Sequence, residues 1–451
     1  VNLTSSNGSA IDLSKATGSN GFNVTASGTT ATTVTGSAQA DSVTSSTNGN
    51  TVTLGGGNDT LTVTAGTTTL TDLGDSDVLK VSQGATVNAT VAKSFTATAD
   101  TANNGTVTLT TSNGSAVDLS KATGSNGFTV TASGATATTV VGSAQADTIT
   151  SSGTGTTANT ITTGAGKDTV NVTSGVATIT DLTSEDTLKV STGATANATV
   201  AAAYTATADT ENSGTANISG AGVNIDMSTV TKGTKGFNLS NTSATTGATL
   251  KGSLLGDTLN SSTGADVLSG EGGLDTYNLG LANGSPDSAA DTVNENGSAI
   301  TVGANNTITG FDVINGYGNT TDILNFTAAQ GTTRTVITGK FNPNTGEFTP
   351  GNSTEDNDVL VIGQTDGSTS PATGNLGVVV RGVNAMGSAA NFDFNGAADG
   401  NGQNVSPVIN TQPNVNSTGA IVLNATDPDP ADKLSVRLNT GSGTPTNLGA
   451  T

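Results

Sequence analysis

The chain has 451 residues, 35 of them acidic against 14 basic for a net charge of −21, and contains no Cys and no His. Disulfide scaffolds, thiolate and imidazole metal sites, Cys nucleophiles and any Ser-His-Asp triad are thereby excluded, as is nucleic-acid binding through a basic groove. Only 33% of the residues are hydrophobic, 3% aromatic and 11% charged, too little volume for the core of a doubly wound enzyme or a helical bundle. No apolar run reaches the about 18 residues of a membrane span. No basic-then-apolar leader opens the chain, so Val1 reads as a mature or trimmed start, or the export signal lies elsewhere. Pro is scarce, at 9 residues, and the periodicity described next argues against disorder.

A long repeat comes first. Ser6–Phe22 (SNGSAIDLSKATGSNGF) returns as Ser112–Phe128 with one change, Ile11 to Val117, and more loosely as NIDMSTVTKGTKGF, which holds Asp226 and Phe237. This predicts three tandem units over residues 1–107, 108–216 and 217–328. Phe22, Phe128 and Phe237 sit at equivalent points and are expected to plug the core where one unit meets the next.

Inside each unit runs a period of nine. From Gly36 to Lys80 the segments GSAQADSVT, SSTNGNTVT, LGGGNDTLT, VTAGTTTLT and DLGDSDVLK follow one another, with Val43, Val52, Leu61, Leu70 and Leu79 in the eighth position. The second unit supplies Ile149, Ile161, Val170, Ile179 and Leu188, and the third Leu259, Leu268 and Tyr277. One apolar residue flanked by Thr, Ser or Asn is a short strand plus a turn. The apolar side chain points inward and its neighbours outward. Thr and Val favour strands, and Gly permits the turns. One such turn buries almost nothing, so the turns must stack into a coil.

The pattern resembles the repeats-in-toxin (RTX) family, whose nonapeptide G-G-x-G-x-D-x-apolar-x winds a calcium-binding parallel β-roll. LGGGNDTLT (Leu54–Thr62), TGAGKDTVN (Thr163–Asn171) and GEGGLDTYN (Gly270–Asn278) match it best; Leu54 and Thr163 replace the first Gly, Glu271 replaces the second, and VTAGTTTLT lacks the Asp. The tandem arrangement resembles bacterial surface-layer proteins and giant adhesins. The resemblance implies two nonapeptides per coil, so that alternate turns share an edge. Asp41, Asp59 and Asp77 then line one edge, with Asn50 and Thr68 opposite. Asp147, Asp168 and Asp186 do the same in the second unit, with Asn159 and Ala177 opposite. Asp257 and Asp275 follow in the third, where Asp266 arms the other edge. Such a line of carboxylates repels itself unless a hard divalent cation sits between turns, with Gly-rich carbonyls completing an all-oxygen shell. Ca2+ is the implied cofactor, and Asp72, Asp75, Asp181 and Glu185 add carboxylates beside the last turns. The same Asp residues also suit local capping of tight turns, and both readings stand at this point.

Beyond about residue 331 the composition shifts. GKFNPNTGEFTPG predicts a hairpin turning at Asn344–Gly346, and VLVIGQ and LGVVVRGV predict buried strands, together a small β domain over residues 329–402. Residues 403–451 hold a linker and then IVLNATDPDPADKLSVRL, which resembles a cadherin-like or immunoglobulin-like module. That likeness implies Asp427 and Asp429, with Asp432, as further calcium ligands. The segment is too short for a whole sandwich, which predicts truncation or strand exchange with a neighbouring subunit.

These features predict an all-β chain of tandem right-handed parallel β-roll or β-solenoid units, followed by a small β domain and a partial β-sandwich module. The expected function is structural: a secreted protein of the type I export class that self-assembles, as a homo-oligomer or polymer, into a calcium-dependent cell-surface layer, fibre or adhesin stalk. Cell-surface polysaccharide is a further candidate partner; nucleic acid and a membrane span are not expected. The alternatives are an ice- or carbohydrate-binding adhesin module, since Thr-x-Thr runs such as Thr51–Thr53 resemble ice-binding solenoids, and a β-helix enzyme acting on polysaccharide. Such enzymes need clustered basic residues or paired carboxylates in an aromatic cleft. Arg occurs only at 334, 381 and 437, and no catalytic residue is assigned.

Overall fold

A Thr-flanked apolar residue every half coil yields short strands, mostly of two to six residues, which no isolated sheet would hold together; they persist because each lies against an equivalent strand one coil away. The computed structural model describes residues 1–279 apart from 76, 113 and 156, then 289–295, 299–303, 307–317, 322–326, 333–351, 358–364 and 375–382, with backbone alone at 391–393, 408–409, 414–415, 420–426 and 435–439. The described residues are all-β, with strands and turns and no helix; none therefore offers a helix long and apolar enough to cross a membrane. Two compact units are present, Val1–Ala201 with Ala206–Asn217, and Ala202–Thr205 with Ile218–Thr451.

The first unit is a parallel β-solenoid. One face of its first copy stacks Asn2–Ser5, Asn23–Ala26, Ser42–Ser45, Thr60–Val63 and Val78–Val81. The other stacks Ile11–Asp12, Thr33–Thr35, Asn50–Thr53, Thr67–Asp75 and Thr86–Thr96. Consecutive strands of one face are separated in sequence by one strand of the other, so two nonapeptides make a coil and Ser42, Thr60 and Val78 fall in one register. Thr86–Thr96 is the join between copies. Its first half pairs with Thr106–Ser112 and its end with Val117–Asp118. The face that carries Val52 and Leu70 therefore runs on, through Ala89, as the face that carries Leu109, Val130 and Ile149.

The eighth-position residues form the interior. Val43, Val52, Leu61, Leu70 and Leu79 are at most 1% exposed, and Ile149, Ile161, Val170, Ile179 and Leu188 are fully buried. The bore is narrow enough to dictate glycine at particular turns. Gly57 (φ 118°) and Gly166 (φ 130°) lie in the left-handed region, and a β-carbon there would stand 2.7 Å from the Gln39 carbonyl carbon and 2.8 Å from that of Gln145, both in the coil before.

The second unit repeats the design. One face stacks Asn238–Ser240, Thr258–Asn260, Thr276–Asn278 and Asp312–Asn315; the other stacks Tyr204–Thr205, Ile225–Asp226, Thr249–Lys251, Val267–Ser269, Thr292–Glu295 and Ile323–Phe326. Asn260, Asn278 and Asn315 each donate from Nδ2 to the Oδ1 of the Asn on the neighbouring strand, at 2.7, 2.7 and 2.8 Å. Asp312–Asn315 also pairs with Leu376–Val380, which opens an antiparallel sheet with Asp358–Gln364, Thr333–Asn342 and Glu347–Pro350. The hairpin turns at Asn344–Gly346 as expected, with Phe341 opposite Phe348. Its core includes Ile300, Ile308 and Phe311 beside Ile337, Phe348, Leu360, Ile362 and Val379, so it takes in residues that composition assigns to the third solenoid unit.

Ala420–Thr426 pairs antiparallel with Thr333–Ile337 of the same chain; an edge strand offers its unpaired backbone groups to any extended segment within reach. Asp427, Asp429 and Asp432 lie outside the described residues. For the solenoid core, Leu61→Ala is expected to cost about 3 kcal/mol and Thr62→Ala under about 1 kcal/mol, measured by chemical denaturation. Equal losses at the two positions would refute the inward row.

Candidate functional site

The acidic edges begin at a G-S-x-x-x-D turn. In Gly36–Asp41 the Asp41 Oδ2 accepts the Ser37 amide at 2.6 Å and the Ser37 hydroxyl at 3.0 Å, while Oδ1 accepts the Phe22 amide at 2.7 Å. Gly142–Asp147 repeats this with Ser143 at 2.6 and 3.0 Å and the Phe128 amide at 2.5 Å. Gly252–Asp257 does so with Ser253 at 2.6 and 3.0 Å and the Phe237 amide. A β-carbon at Gly36, Gly142 or Gly252 would stand 2.0, 2.0 or 2.4 Å from the carbonyl oxygen of Leu54, Thr163 or Gly270 and 2.9, 2.8 or 2.5 Å from the carboxylate Oδ2, so the next coil's backbone and the carboxylate together leave no room for a side chain.

From that head, each Asp donates its own amide to the Oδ1 of the Asp on the next coil. Asp41 donates to Asp59 at 2.7 Å and Asp59 to Asp77 at 3.1 Å. Asp147 donates to Asp168 at 2.7 Å and Asp168 to Asp186 at 3.0 Å. In the second unit Asp257 donates to Asp275 at 2.7 Å and Asp275 to Asp312 at 2.8 Å. A fourth ladder runs from the Ala248 amide through Asp266, Asp291 and Asp322, at 2.6, 2.8 and 3.1 Å. Every rung is at most 5% exposed.

The structure thus places Asp41, Asp59 and Asp77 on one line, Asp147, Asp168 and Asp186 on another, and Asp257 with Asp275 apart from Asp266. Asp291, Asp312 and Asp322 complete the ladders of the second unit and have no assignment from sequence. Their partners stand 25 to 37 residues away rather than 18, because longer connections interrupt the nine-residue spacing. The G-S-x-x-x-D motif at 36–41, 142–147 and 252–257 was a legible signal for the ladder heads. Asp72 and Asp181 each accept two amides beside a ladder, Leu54 and Gly55 at 2.7 and 2.8 Å, and Thr163 and Gly164 at 2.7 and 3.0 Å. Asp75 is described only as the last backbone position of strand Thr67–Asp75. On the opposite edge Asn50 Oδ1 accepts the Thr32 amide at 2.8 Å and Asn159 Oδ1 the Thr138 amide at 2.9 Å.

The rungs are not chemically equal. The first has both oxygens filled. The last does too, since Asp77 Oδ2 accepts the Gly74 amide at 3.0 Å and Asp186 Oδ2 the Thr183 amide at 2.9 Å. On the middle rung, Asp59 Oδ2 and Asp168 Oδ2 are buried without a hydrogen-bond partner, as is Asp291 Oδ2 in the fourth ladder. An unpaired buried carboxylate oxygen is costly, and a proton or a cation relieves it. Burial pushes the Asp59 carboxyl up to about 7; the Asp41 amide opposes this, and the charges of Asp77, Asp41 and Asp72 add to it. Asp168 is pushed up to about 7 by burial, with the Asp147 amide opposing and Asp186, Asp147 and Asp181 adding. Asp291 also reaches about 7, through burial and then, against the Asp266 amide, the charges of Asp322 and Asp266. Asp257 rises to about 6 through burial, and burial with the Asp312 charge raises Asp275.

Among the described residues no three acidic side chains form a metal cluster by themselves. A cation at Oδ2 of Asp59 or Asp168 would have to complete its shell with backbone carbonyls or water, an all-oxygen set that suits a hard ion such as Ca2+. The unpartnered oxygen and the surrounding negative charge fit such an ion at these two rungs, whereas the first and last rungs fit amide capping. No family model matches the chain, and no curated protein or solved structure matches it.

The pH dependence follows from the sign of these shifts. An unfolded Asp titrates near 3.9, and folded Asp59 and Asp168 near 7, so between those values the folded state holds the extra protons and stability falls as pH rises. The contribution is complete below about pH 4 and lost as pH rises through 7. In excess chelator the melting temperature is expected to drop between about pH 4 and 7. The double variant Asp59→Asn/Asp168→Asn, which keeps Oδ1 and removes two of the titrating groups, is expected to make that drop smaller, with Asp257, Asp275 and Asp291 supplying the remainder. A profile parallel to the parent's would show that other groups set it.

Proposed function

We propose that this chain is an extracellular structural protein whose calcium-loaded solenoids build a cell-surface layer, fibre or adhesin stalk, with assembly rather than catalysis as its role. The observation that carries this reading is the recurrence of one buried, unpartnered carboxylate oxygen at the same rung of two tandem copies, Asp59 and Asp168. Both lie in the nonapeptides that best resemble the RTX pattern. Calcium at these rungs replaces the proton, neutralises the stacked carboxylates and adds its binding energy to folding. A chain of this kind stays loosely folded where calcium is scarce, inside a cell, and sets where calcium is abundant, outside it. The net charge of −21 opposes association by self-repulsion, and divalent cations weaken that barrier.

Calorimetric titration of the calcium-free chain near pH 8, followed by electron microscopy, tests this. Saturable calcium binding, a higher melting temperature and ordered sheets or filaments are expected for the parent. Asp59→Asn/Asp168→Asn is expected to bind fewer ions. Monodisperse monomers with and without calcium, or unchanged stoichiometry in the double variant, would sink the reading.

A further inference from the structure

At several places on the first unit, outward side chains in register with one another bond along the solenoid. Thr53 meets Thr71 hydroxyl to hydroxyl at 2.7 Å, Thr162 meets Thr180 at 2.8 Å, and Asn217 Nδ2 donates to Asn197 Oδ1 at 2.7 Å. One row does not. Thr150, Asn171, Lys189 and Glu211 stand opposite one another on four successive strands of one face, all partly exposed. None of these four side chains has a hydrogen-bond or ion-pair partner among the described residues, although Lys189 and Glu211 carry opposite charges on neighbouring strands. Together with Thr173, Ser191 and Ser213 they line an open trough of about 490 Å³.

Three departures of the second copy from the first fall on this trough. The counterpart row is Thr44, Thr62, Lys80 and Ala102, held in the same register, so Asn171 stands in the place of Thr62 and Glu211 in the place of Ala102. The third departure is in the backbone. Ser42–Ser45 and Thr60–Val63 pair evenly over four residues, whereas Thr148–Gly153 and Thr169–Ser174 run to six with a register shift after Ser151 that leaves Thr173 unpaired and exposed. A bulge of this kind bends its strand and re-aims side chains. On the next coil Thr187–Val190 stops at four residues and the chain turns through Gly193 (φ 81°), so a long strand borders a short one and the trough follows that step.

We propose that this trough is a binding site for an extended, uncharged glycan that lies along the solenoid axis across the row Thr150, Asn171, Lys189 and Glu211. The chemistry of the row selects the ligand. It offers a hydroxyl and an amide that both donate and accept, then a pure donor and a pure acceptor, and sugar hydroxyls answer all four. Contacts to the Lys189 ammonium and the Glu211 carboxylate are charge-assisted. Strands about 4.8 Å apart give a row about 14 Å long, and its repeat is close to the length of one sugar ring in an extended chain. A peptide strand fits poorly, because its shorter repeat runs out of step and it needs a free sheet edge, whereas this row lies on the face of a paired sheet. Anionic glycans are disfavoured by the net charge of −21, which repels them. The proposal goes beyond the calcium reading and holds whatever the middle rungs bind.

Native affinity electrophoresis of the full chain in calcium tests it, through gels that contain mixed-linkage β-glucan, xylan, mannan or dextran, with alginate as the anionic comparison and a plain gel as reference. At least one neutral glycan is expected to retard the parent, and alginate is not. The variant Asn171→Thr/Glu211→Ala installs the residues that the first copy carries at the same rungs, so it is expected to keep the parent's melting temperature and to bind about tenfold or more weakly, the loss of one or two hydrogen bonds. Passage of the parent through all four neutral gels without retardation overturns the proposal, as does a variant retained as strongly as the parent. Retardation by alginate alone assigns the contact to charge and overturns the neutral ligand. Should the double variant melt lower than the parent, Glu211→Gln, which keeps size and removes only the charge, decides in its place, and retention equal to the parent's overturns the site.

Discussion

A carboxylate that accepts the amide hydrogen of the neighbouring coil is the contact on which the solenoid edges depend. Strand amides pair with strands one coil away, but the chain must turn twice per coil, and amides at those turns are buried without a strand to bond. Buried backbone donors require acceptors. Asp supplies one with a short side chain that fits inside the turn, and its own amide then passes the same need to the next coil, as in the run from Phe22 through Asp41 and Asp59 to Asp77. A slip of one residue would bring the wrong side chain inward and also break every bond of this run, so the ladder and the apolar row enforce one register. Composition follows from the same geometry. The bore is lined mainly by Val, Leu and Ile, with Tyr277 taking the inward position in the second unit, and the carbonyl oxygen of the neighbouring coil, 2.0, 2.0 and 2.4 Å from where a β-carbon would stand, together with the ladder carboxylate confines Gly36, Gly142 and Gly252 to glycine.

The inward row and the two edges of the first unit were legible in the sequence because they depend on spacing alone. Leu61 and Asp59 sit two residues apart in a strand-like segment, so both must point inward together, and both do. Spacing fails where the coil is interrupted. Asp291, Asp312 and Asp322 join their ladders across connections of 25 to 37 residues, and no period of nine survives such a gap. The exchange of faces at Thr86–Thr96 was equally hidden, since it depends on one strand being long enough to pair with two others. The partner of Ala420–Thr426 was hidden for a related reason. An alternating apolar strand says that it needs a partner strand without saying which, and the partner proved to be Thr333–Ile337 in the same chain. The candidate calcium ligands were legible as a line, but their inequality was not, because whether an oxygen is filled depends on Ser37, Gly74 and their counterparts rather than on the Asp itself.

The two edges of the first unit solve one problem with different side chains. Asn50 accepts the Thr32 amide through Oδ1 and donates through Nδ2 to the Ser45 hydroxyl at 2.8 Å; Asn159 does the same with Thr138 and, at 2.9 Å, with the Ser151 hydroxyl. A neutral amide side chain is therefore sufficient to cap a turn in this solenoid, and it leaves neither charge nor orphaned atom behind. Asp59 and Asp168 perform the same capping with Oδ1 and then hold a second oxygen buried and idle beside other carboxylates. On capping grounds alone Asn would serve better at both positions, since it removes the desolvated charge and its repulsion. The two copies differ in length between these edges, with 18 residues from Asp41 to Asp59 and 21 from Asp147 to Asp168, yet both keep the carboxylate. Asp59 and Asp168 are carboxylates where an amide side chain would cap the turn, and this contrast between the edges supports the cation reading proposed above.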